Sequence, residues 1–252
     1  MIVIPMAGLS SRFFKAGYTS PKYMLEVHGK TLFHYTVSSF ETLFETERFV
    51  FIVRDSLNSV EFIKSEISKL GIKQYHVCVL SHETRGQAET VYEGIKKINK
   101  TIIFDPDESL TIFNIDTIRR NFYYPDKNLI EDGYLEVFDG EGNNWSFVKP
   151  ENSLSTLVVK TTEKDPISSL CCTGLYYFTN IKDYLFAFEN YLKLPEDEWE
   201  KGELYVAPLY NILIRENKKI HYHKIDKADV VFAGIPEEYV ALKKVNNIFE
   251  SK

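Results

Sequence analysis

Short apolar runs alternate with segments of helical periodicity through the first half of this 252-residue chain. The apolar runs lie at residues 2–5, 49–53, 75–80 and 110–115, and a helix is expected at about 31–43. Two later segments repeat apolar residues at the spacing of one helix face: Leu57, Val60, Ile63, Ile67 and Leu70, and then Ala88, Val91, Ile95 and Ile98. Strands alternating with helices predict βαβ units. The expected fold class is therefore α/β, a Rossmann-like three-layer sandwich with a mixed, mainly parallel sheet.

From about residue 133 to 178 the pattern changes to short strands joined by turns. Strands are predicted at 134–138, 145–148, 156–161 and 171–178, as an extension of the sheet that would cover a ligand cleft. Helices at about 180–193 and 203–215 and strands at 219–224 and 229–232 follow, and Pro236 suits the first position of a last helix. Because no repeat or long linker separates these parts, the sequence predicts a single domain over 1–252, with 133–178 as its strand-rich part.

Composition excludes several classes of partner. The net charge is −6, whereas nucleic-acid binding needs a clustered excess of Lys and Arg. The three cysteines, Cys78, Cys171 and Cys172, are odd in number, which favours reduced thiols over a disulfide framework. The first apolar run lacks the basic flank of a signal peptide and is too short to span a membrane. We therefore expect a cytoplasmic protein that binds neither nucleic acid nor a membrane; the sequence leaves open whether it forms a homo-oligomer.

The loops that follow the parallel strands are the expected ligand site. In open α/β sheets, ligands bind beyond the carboxyl ends of the strands. The loops at 6–12, 54–56, 81–87 and 114–119 should therefore share one rim of the sheet. Thr84 and Gln87 also form a candidate capping box at the start of the helix that follows the third of these loops.

The first of these loops, Ala7-Gly8-Leu9-Ser10-Ser11-Arg12, has the composition of a phosphate-binding segment. Small residues let backbone N–H groups approach phosphate oxygens, and an arginine adds a bidentate charged contact. Lys22, directly after Pro21, supplies a second cation. The loop matches neither a Walker motif nor G-x-G-x-x-G. Taken alone, the loop fits an ordinary strand-to-helix turn equally well, and a lone lysine after a proline is usually a solvated surface residue.

Together, the elements Gly8-Leu-Ser-Ser-Arg12 and Pro21-Lys22 resemble the signature of the sugar-phosphate nucleotidyltransferase family, a GT-A-like group whose members open with a strand, G-x-G-[ST]-R and then P-K. Ser10 stands in place of the usual second glycine. The resemblance implies that residues 7–11 bind the nucleotide, that Arg12 holds the triphosphate and that Lys22 neutralises charge at the reacting phosphorus.

Further elements match in family order along residues 2 to about 242. Arg85-Gly86-Gln87-Ala-Glu-Thr90 resembles the nucleobase loop, in which Gly86 and Gln87 would read the base, although the segment is also an ordinary helix start. Asn114-Ile-Asp116 resembles the element that carries the metal-binding aspartate, so Asp116 would hold Mg²⁺ against phosphate oxygens. An aspartate at this point of a strand is otherwise often a loop or cap residue.

The strand-rich part resembles the family's acceptor-binding elements. Trp145-Ser146-Phe-Val matches an aromatic-Gly-x-Val strand, with Ser146 where glycine is usual. Glu163-Lys164 matches an E-K-P element, in which the glutamate would accept hydrogen bonds from acceptor hydroxyls and the lysine would bind the acceptor phosphate. Thr173 and Gly174 would line the substrate wall. Gly202-Glu-Leu-Tyr205 and Gly234-Ile-Pro-Glu-Glu238 match the family's terminal elements.

One departure concerns the metal. The family commonly has a second metal-binding aspartate two residues before the glycine of its last element, and this chain has Phe232 there, followed by Ala233. Three outcomes are open: Asp116 alone holds Mg²⁺ with water and phosphates, Asp229 takes the missing role, or catalysis is lost. The first is favoured, since Mg²⁺ needs only one or two carboxylates beside substrate phosphates.

The resemblance implies transfer of a nucleoside monophosphate from an NTP to the phosphate of a sugar or sugar-like alcohol, with release of pyrophosphate. CTP or UTP is favoured over GTP, and surface polysaccharide synthesis is the expected pathway. Two alternatives stay open at this point. A GT-A glycosyltransferase would use Asn114-x-Asp116 as a degenerate D-x-D motif, and a non-catalytic nucleotide-binding module would explain Phe232.

Overall fold

The computed structural model describes residues 1–245 and 247–249. Its strands are β1 Ile2–Pro5, β2 Glu26–Val27, β3 Lys30–Thr31, β4 Arg48–Arg54, β5 Gln74–Leu80, β6 Leu110–Phe113, β7 Thr117–Arg119, β8 Gly133–Asp139, β9 Ser146–Pro150, β10 Val158–Glu163, β11 Leu170–Phe178, β12 Ile220–Lys224 and β13 Val230–Phe232. The α-helices are α1 Ser11–Lys15, α2 Leu32–Ser38, α3 Ser59–Leu70, α4 Gln87–Ile98, α5 Ile181–Tyr191, α6 Leu209–Arg215 and α7 Pro236–Leu242.

The chain divides into two compact units, each assembled from separate stretches of sequence. The N-terminal unit contains Ile2–Glu83, Phe113–Tyr123 and the described residues from 228 onwards. The central unit contains Met1, Thr84–Ile112 and Tyr124–Lys227.

The N-terminal unit is built on parallel strands. Strand β1 pairs with β4, Ile2 opposite Phe49, and β4 pairs in parallel with β5 along its whole length. All four residues of β1 and the five central residues of β4 are buried, as expected for parallel strands covered on both faces. Helix α3 turns Ile63 and Ile67 into the core. The predicted alternation of strands and helices is confirmed here.

A short antiparallel ribbon completes the N-terminal unit. Strand β13 pairs with β7, with Phe232 opposite Thr117 and Val230 opposite Arg119. Beside this ribbon, side chains from the start, middle and end of the chain form one apolar cluster that includes Phe13, Leu32, Ile118 and Tyr239. Through this cluster, helix α7 packs against helices α1 and α2.

The central unit carries the antiparallel strands predicted between residues 133 and 178. Strand β11 pairs antiparallel with β8 and β9, β10 pairs antiparallel with β9, and β12 pairs in parallel with β8. Every residue of β11 is buried. The β11–β8 register shifts between Cys172 and Tyr176, where Gly174 has a φ of +97°. This local irregularity sets the backbone of Thr173 and Gly174 apart from the regular ladder.

Three local predictions are wrong. Helix α2 ends at Ser38 instead of continuing to residue 43, and a separate one-turn 3₁₀ helix occupies Glu41–Leu43. Helix α6 begins at Leu209 instead of residue 203, since Leu204 hydrogen-bonds to a distant segment and Pro208 directly precedes the helix. Strand β6 ends at Phe113, two residues earlier than predicted. For α6, contacts distant in sequence decide the boundary, because Leu204 is hydrogen-bonded to Arg85 and Ala88.

All three cysteines are buried free thiols, as the odd count predicted. Burial raises the pKa of the Cys172 thiol well above its usual value. Such thiols are inert packing groups rather than nucleophiles. Among the described helices, none combines the length and the apolar character that crossing a membrane requires.

Candidate active site

The loop after β1 is accessible and leads into α1. Gly8, Leu9, Ser11 and Arg12 are exposed, whereas Ala7 is buried at the end of the strand. A Cβ added at Gly8 would meet no atom within 4 Å, so the protein's own packing does not require glycine there. A loop that offers its backbone and an arginine to solvent after a buried strand is suited to a polyanionic ligand.

Ser10 links this loop to Lys22. Ser10 adopts a left-handed conformation with φ 51°, and its Oγ accepts a hydrogen bond from the backbone N of Lys22 at 3.2 Å. Pro21 precedes a single 3₁₀ turn that begins at Lys22. A serine in place of the family's second glycine therefore has a visible role, because its hydroxyl secures the lysine-bearing turn.

Lys22 and Asp116, 94 residues apart in sequence, form an ion pair. Lys22 Nζ donates to Asp116 Oδ2 at 2.6 Å, and both side chains keep about a fifth of their surface exposed, 21% and 23%. The pair thus remains accessible to a ligand while each partner is held by the other. The structure brings together Ser10, Lys22 and Asp116, three of the residues that the sequence marked for the phosphate and metal site.

The segment that replaces the family's second aspartate lies next to Asp116. Phe232 is opposite Thr117 in the β7–β13 ribbon, and Ala233 N donates to Asp116 O at 2.8 Å. A Cβ added at Gly234 would lie 2.8 Å from Asp116 Oδ2. Any larger residue at this position would therefore displace the Asp116 carboxylate.

Asp229 does not take the role of the missing ligand, so that sequence-based alternative is wrong. The antiparallel register puts Asp229 beyond the Val230–Arg119 pair, at the other end of the ribbon from Asp116. Its carboxylate accepts a hydrogen bond from Asn121 Nδ2 at 3.3 Å, and its carbonyl accepts one from Arg120 N at 2.8 Å. These contacts give Asp229 a structural role in the ribbon.

Glu238 is the second acid near Asp116, and sequence reasoning missed its part in the site. Its Oε2 accepts hydrogen bonds from Gly234 N at 2.8 Å and Ile235 N at 3.3 Å, at the start of α7. Burial raises the pKa of Glu238; the two backbone N–H groups act against that shift, and the negative charge of Asp116 adds to it. The signal in the sequence was a glutamate at the third position of a helix that begins at a proline.

In the part of the chain that the structure describes, no group of three or more His, Cys, Asp and Glu side chains is arranged to hold a metal ion. The described residues therefore do not form a preformed set of metal ligands. Asp116, with part of its carboxylate exposed, fits the way Mg²⁺ is usually held, by one or two carboxylates with water and substrate phosphates.

The 85–88 segment of the central unit is packed tightly against Leu204. Leu204 N donates to Arg85 O at 3.1 Å, and Ala88 N donates to Leu204 O at 2.9 Å. A Cβ added at Gly86 would lie 2.5 Å from Leu204 O. Gly86 is thus required by the close approach of two backbones, and Gln87 follows it as the first residue of α4.

The predicted capping box of α4 is wrong. The helix begins at Gln87 with Gly86 as its N-cap, and no side chain caps it. Thr84 Oγ1 instead pairs with Thr90 Oγ1 at 2.6 Å. The Glu89 carboxylate accepts hydrogen bonds from the backbone N of Arg85, at 2.6 Å, and from the Arg85 guanidinium. This guanidinium lies over the Trp199 ring, 5.2 Å from its centroid. These contacts fix the arginine outside the helix and order the turn that the sequence assigned to base recognition.

A buried polar cluster surrounds Glu163 at the end of β10. Ser146 Oγ donates to Glu163 Oε2 and lies 3.3 Å from Tyr176 OH, and Glu163 N donates to Glu200 Oε2. Burial raises the pKa values of both Glu163 and Glu200. Ser146, which replaces the family's usual glycine, therefore supplies a hydrogen bond that a buried carboxylate needs.

Lys164 follows in a left-handed conformation, with φ 52°. Its N donates to Trp145 O at 2.8 Å, while its Nζ donates to Tyr205 OH at 2.5 Å and lies 3.9 Å from Glu163 Oε1. The Trp145 ring packs edge-on against Phe138. The structure thus brings Trp145, Ser146, Glu163 and Lys164 together.

Thr173 and Gly174 lie at the irregularity of β11. Thr173 is buried, and its hydroxyl donates to Glu136 Oε1 at 2.9 Å. Its side chain is therefore turned inward, and the left-handed backbone at Gly174 interrupts the ladder beside it. Glu136, fully buried, was not singled out from the sequence. A charged residue in the middle of an otherwise apolar strand was the available signal.

His221, in β12, is fixed by contacts at both ring nitrogens. His221 Nε2 lies 2.8 Å from Glu131 Oε2, and His221 Nδ1 lies 2.9 Å from Thr156 Oγ1. Both ring nitrogens of His221 therefore have a partner within the protein.

Comparison with known proteins points to one group of enzymes. No family model matches the chain, and no curated protein matches it. Among solved structures, a nucleoside-diphosphate-sugar pyrophosphorylase from Vibrio cholerae RC9 is 54% identical, with a TM-score of 0.93, over 97% of this chain and 100% of that one.

Two more distant structures share the fold. The inositol-1-phosphate CTP transferase from T. maritima is 15% identical, with a TM-score of 0.70, over 96% of this chain and 94% of that one. A UTP-bound UGPase from Acinetobacter baumannii is 16% identical, with a TM-score of 0.71, over 96% and 91%. The predicted fold class, a Rossmann-like α/β sandwich with a mixed sheet, is confirmed.

Proposed function

The chain belongs to the sugar-phosphate nucleotidyltransferase family, and from this premise we propose how its own residues transfer a nucleoside monophosphate from an NTP to a sugar phosphate, releasing pyrophosphate. The observation that carries the assignment of residues is the Lys22–Asp116 ion pair, with Ser10 bonded to the same lysine turn. This ion pair combines a cation, which can contact phosphate oxygens, with a carboxylate, which can bind a metal ion.

The triphosphate is bound by the exposed loop and its cations. Backbone groups of Ala7, Gly8, Leu9, Ser10 and Ser11 approach the phosphate oxygens, and Arg12 supplies a charged contact. Lys22 neutralises charge at the α-phosphorus, the atom that is attacked. Asp116 would hold Mg²⁺, and the metal would supply further positive charge next to the phosphates when bound. Phe232 leaves this as a site with one aspartate ligand.

The acceptor is bound by the residues around β9, β10 and β11. Lys164 contacts the acceptor phosphate, and Glu163 accepts hydrogen bonds from hydroxyls of the acceptor. Trp145, Ser146, Thr173 and Gly174 form the surrounding wall through their backbone groups. The buried cluster around Glu163 supports this assignment, since a carboxylate held by Ser146 keeps one fixed orientation.

The reaction needs positioning and charge neutralisation more than acid–base chemistry. An oxygen of the acceptor phosphate attacks the α-phosphorus in line, a new P–O bond forms, and the bond to the β-phosphate breaks with departure of pyrophosphate. A phosphate monoester is already nucleophilic, so no general base is assigned. Arg12, Lys22 and Lys164 offset the repulsion between the two polyanions, which is the main barrier to bringing them together.

The finer assignments extend this scheme. Gly86 and Gln87 read the nucleobase, and we favour CTP or UTP. Surface polysaccharide synthesis is the proposed pathway. A cytoplasmic location agrees with three buried free thiols and with the supply of NTP in that compartment.

A screen of four NTPs against a panel of hexose, heptose, aminosugar and polyol phosphates, with Mg²⁺, tests the function. Pyrophosphate should appear only when one NTP and one acceptor phosphate are both present, and chelation of the metal should abolish its release. NTP binding without pyrophosphate for any acceptor, or transfer of a sugar from a nucleotide-sugar instead, would overturn the assignment.

A further inference from the structure

Lys164 is restrained by one hydrogen bond from its backbone N and another from its side chain. Its backbone N is hydrogen-bonded to Trp145 O at 2.8 Å, in a left-handed conformation that non-glycine residues seldom adopt. Its ammonium group reaches Tyr205 OH at 2.5 Å. A lysine side chain has a large rotamer entropy, so an ammonium that must meet a phosphate at one point needs a partner that restricts it. Tyr205 OH is at hydrogen-bond distance from this ammonium group, whereas Glu163 Oε1 lies farther away, at 3.9 Å.

The position of Tyr205 is itself set by the 85–88 segment. Leu204, the residue before it, exchanges backbone hydrogen bonds with Arg85 and Ala88 at 3.1 and 2.9 Å. Gly86 lets the two backbones approach, since a Cβ there would lie within 2.8 Å of three Leu204 backbone atoms. The 85–88 segment is therefore in direct contact with the backbone that precedes Tyr205.

We propose that Tyr205 is a positioning residue for Lys164, and that Leu204 couples the setting of this lysine to the 85–88 segment. The phenol oxygen accepts one of the three ammonium protons, and the other donors of Lys164 are then directed at the acceptor phosphate. This inference rests on the proposed role of Lys164 in binding that phosphate. It adds a residue of the Gly202-Glu-Leu-Tyr205 element, to which the sequence gave no function.

The test compares Tyr205→Phe, Lys164→Ala and the double variant in steady-state kinetics with the acceptor found in the screen. Tyr205→Phe keeps the ring and removes only the hydroxyl. It should raise the KM for the acceptor about tenfold, on the scale of one lost hydrogen bond to a charged group. The KM for the NTP should change less than about twofold, which also reports that the variant is folded. In the Lys164→Ala background, Tyr205→Phe should add almost nothing.

Tyr92→Phe is the matched control. Its hydroxyl donates to Glu189 at 2.9 Å on the exposed side of α4, so its removal should leave both KM values unchanged. If Lys164→Ala raises the acceptor KM while Tyr205→Phe leaves it at the wild-type value, the inference is overturned and the proposed function stands. An equal effect of Tyr205→Phe with and without Lys164 also overturns it. If Lys164→Ala has no effect, the proposed acceptor site itself is wrong.

Discussion

Replacing Lys22 by alanine should separate catalysis from stability. The Lys22–Asp116 pair is partly exposed, at 21% and 23%, so its loss should lower the free energy of unfolding by about 0–1 kcal/mol, as for surface ion pairs. For a chain of this size that corresponds to a Tm decrease of at most about 2–4 °C. The same ammonium group, when it stabilises charge at the α-phosphorus, is worth a factor of about 100 in kcat, or about 2.7 kcal/mol.

The assay is pyrophosphate release at saturating NTP and acceptor, together with thermal unfolding of the same samples. Lys64→Ala is the matched control, because Lys64 pairs with Glu61 at 3.1 Å on an exposed face of α3. That variant should keep wild-type kcat and lose as little stability. A Lys22→Ala enzyme with wild-type turnover would remove Lys22 from catalysis. A Tm decrease far beyond the expected range would instead make the lysine a structural residue.

Three further outcomes follow from the contacts around the site. Gly234→Ala puts a Cβ 2.8 Å from Asp116 Oδ2, so kcat should fall at least about tenfold as the carboxylate moves, while circular dichroism stays unchanged. Gly86→Ala forces a Cβ against the Leu204 backbone, so urea unfolding should show a loss of about 1–3 kcal/mol and the KM for the NTP should rise. The pKa of Glu238 is higher in the folded protein than in the unfolded chain. The free energy of unfolding should therefore fall as the pH rises from the pKa of Glu238 in the unfolded chain to its pKa in the folded protein. Glu238→Gln removes that titration, so its Tm relative to wild type should be higher at pH 7 than at pH 5, and a pH-independent difference would contradict the shift.

The parallel strands were predictable because their apolar runs are short, contiguous and bounded by polar segments. Strands β1, β4 and β5 appear close to their predicted positions, and the inward face of α4 is the one that its periodicity indicated. The start of α6 was not predictable in this way. Residues 203–208 are compatible with a helix, but Leu204 is committed to backbone hydrogen bonds with residues more than a hundred positions away.

In the candidate site too, the sequence identified single residues, and the fold was needed to show their contacts. The family elements identified Lys22 and Asp116 separately, whereas only the fold shows that the two form a direct ion pair. Asp229 looked like a substitute ligand because it is close in sequence to Phe232, and the antiparallel register separates it from Asp116. The sequence did not indicate the contacts of Tyr205 with Lys164 and of Glu136 with Thr173, which join residues 41 and 37 positions apart, or the partial burial of Glu238.

Transfer of a label from an α-³²P NTP to the acceptor tests the central claim most directly. We expect a labelled nucleotide-sugar product and one unlabelled pyrophosphate for each product formed, with both released about 100-fold more slowly in Lys22→Ala. Pyrophosphate release without a labelled sugar product, or label that stays in free nucleoside monophosphate, would show that the chain hydrolyses its NTP and does not join it to a phosphate.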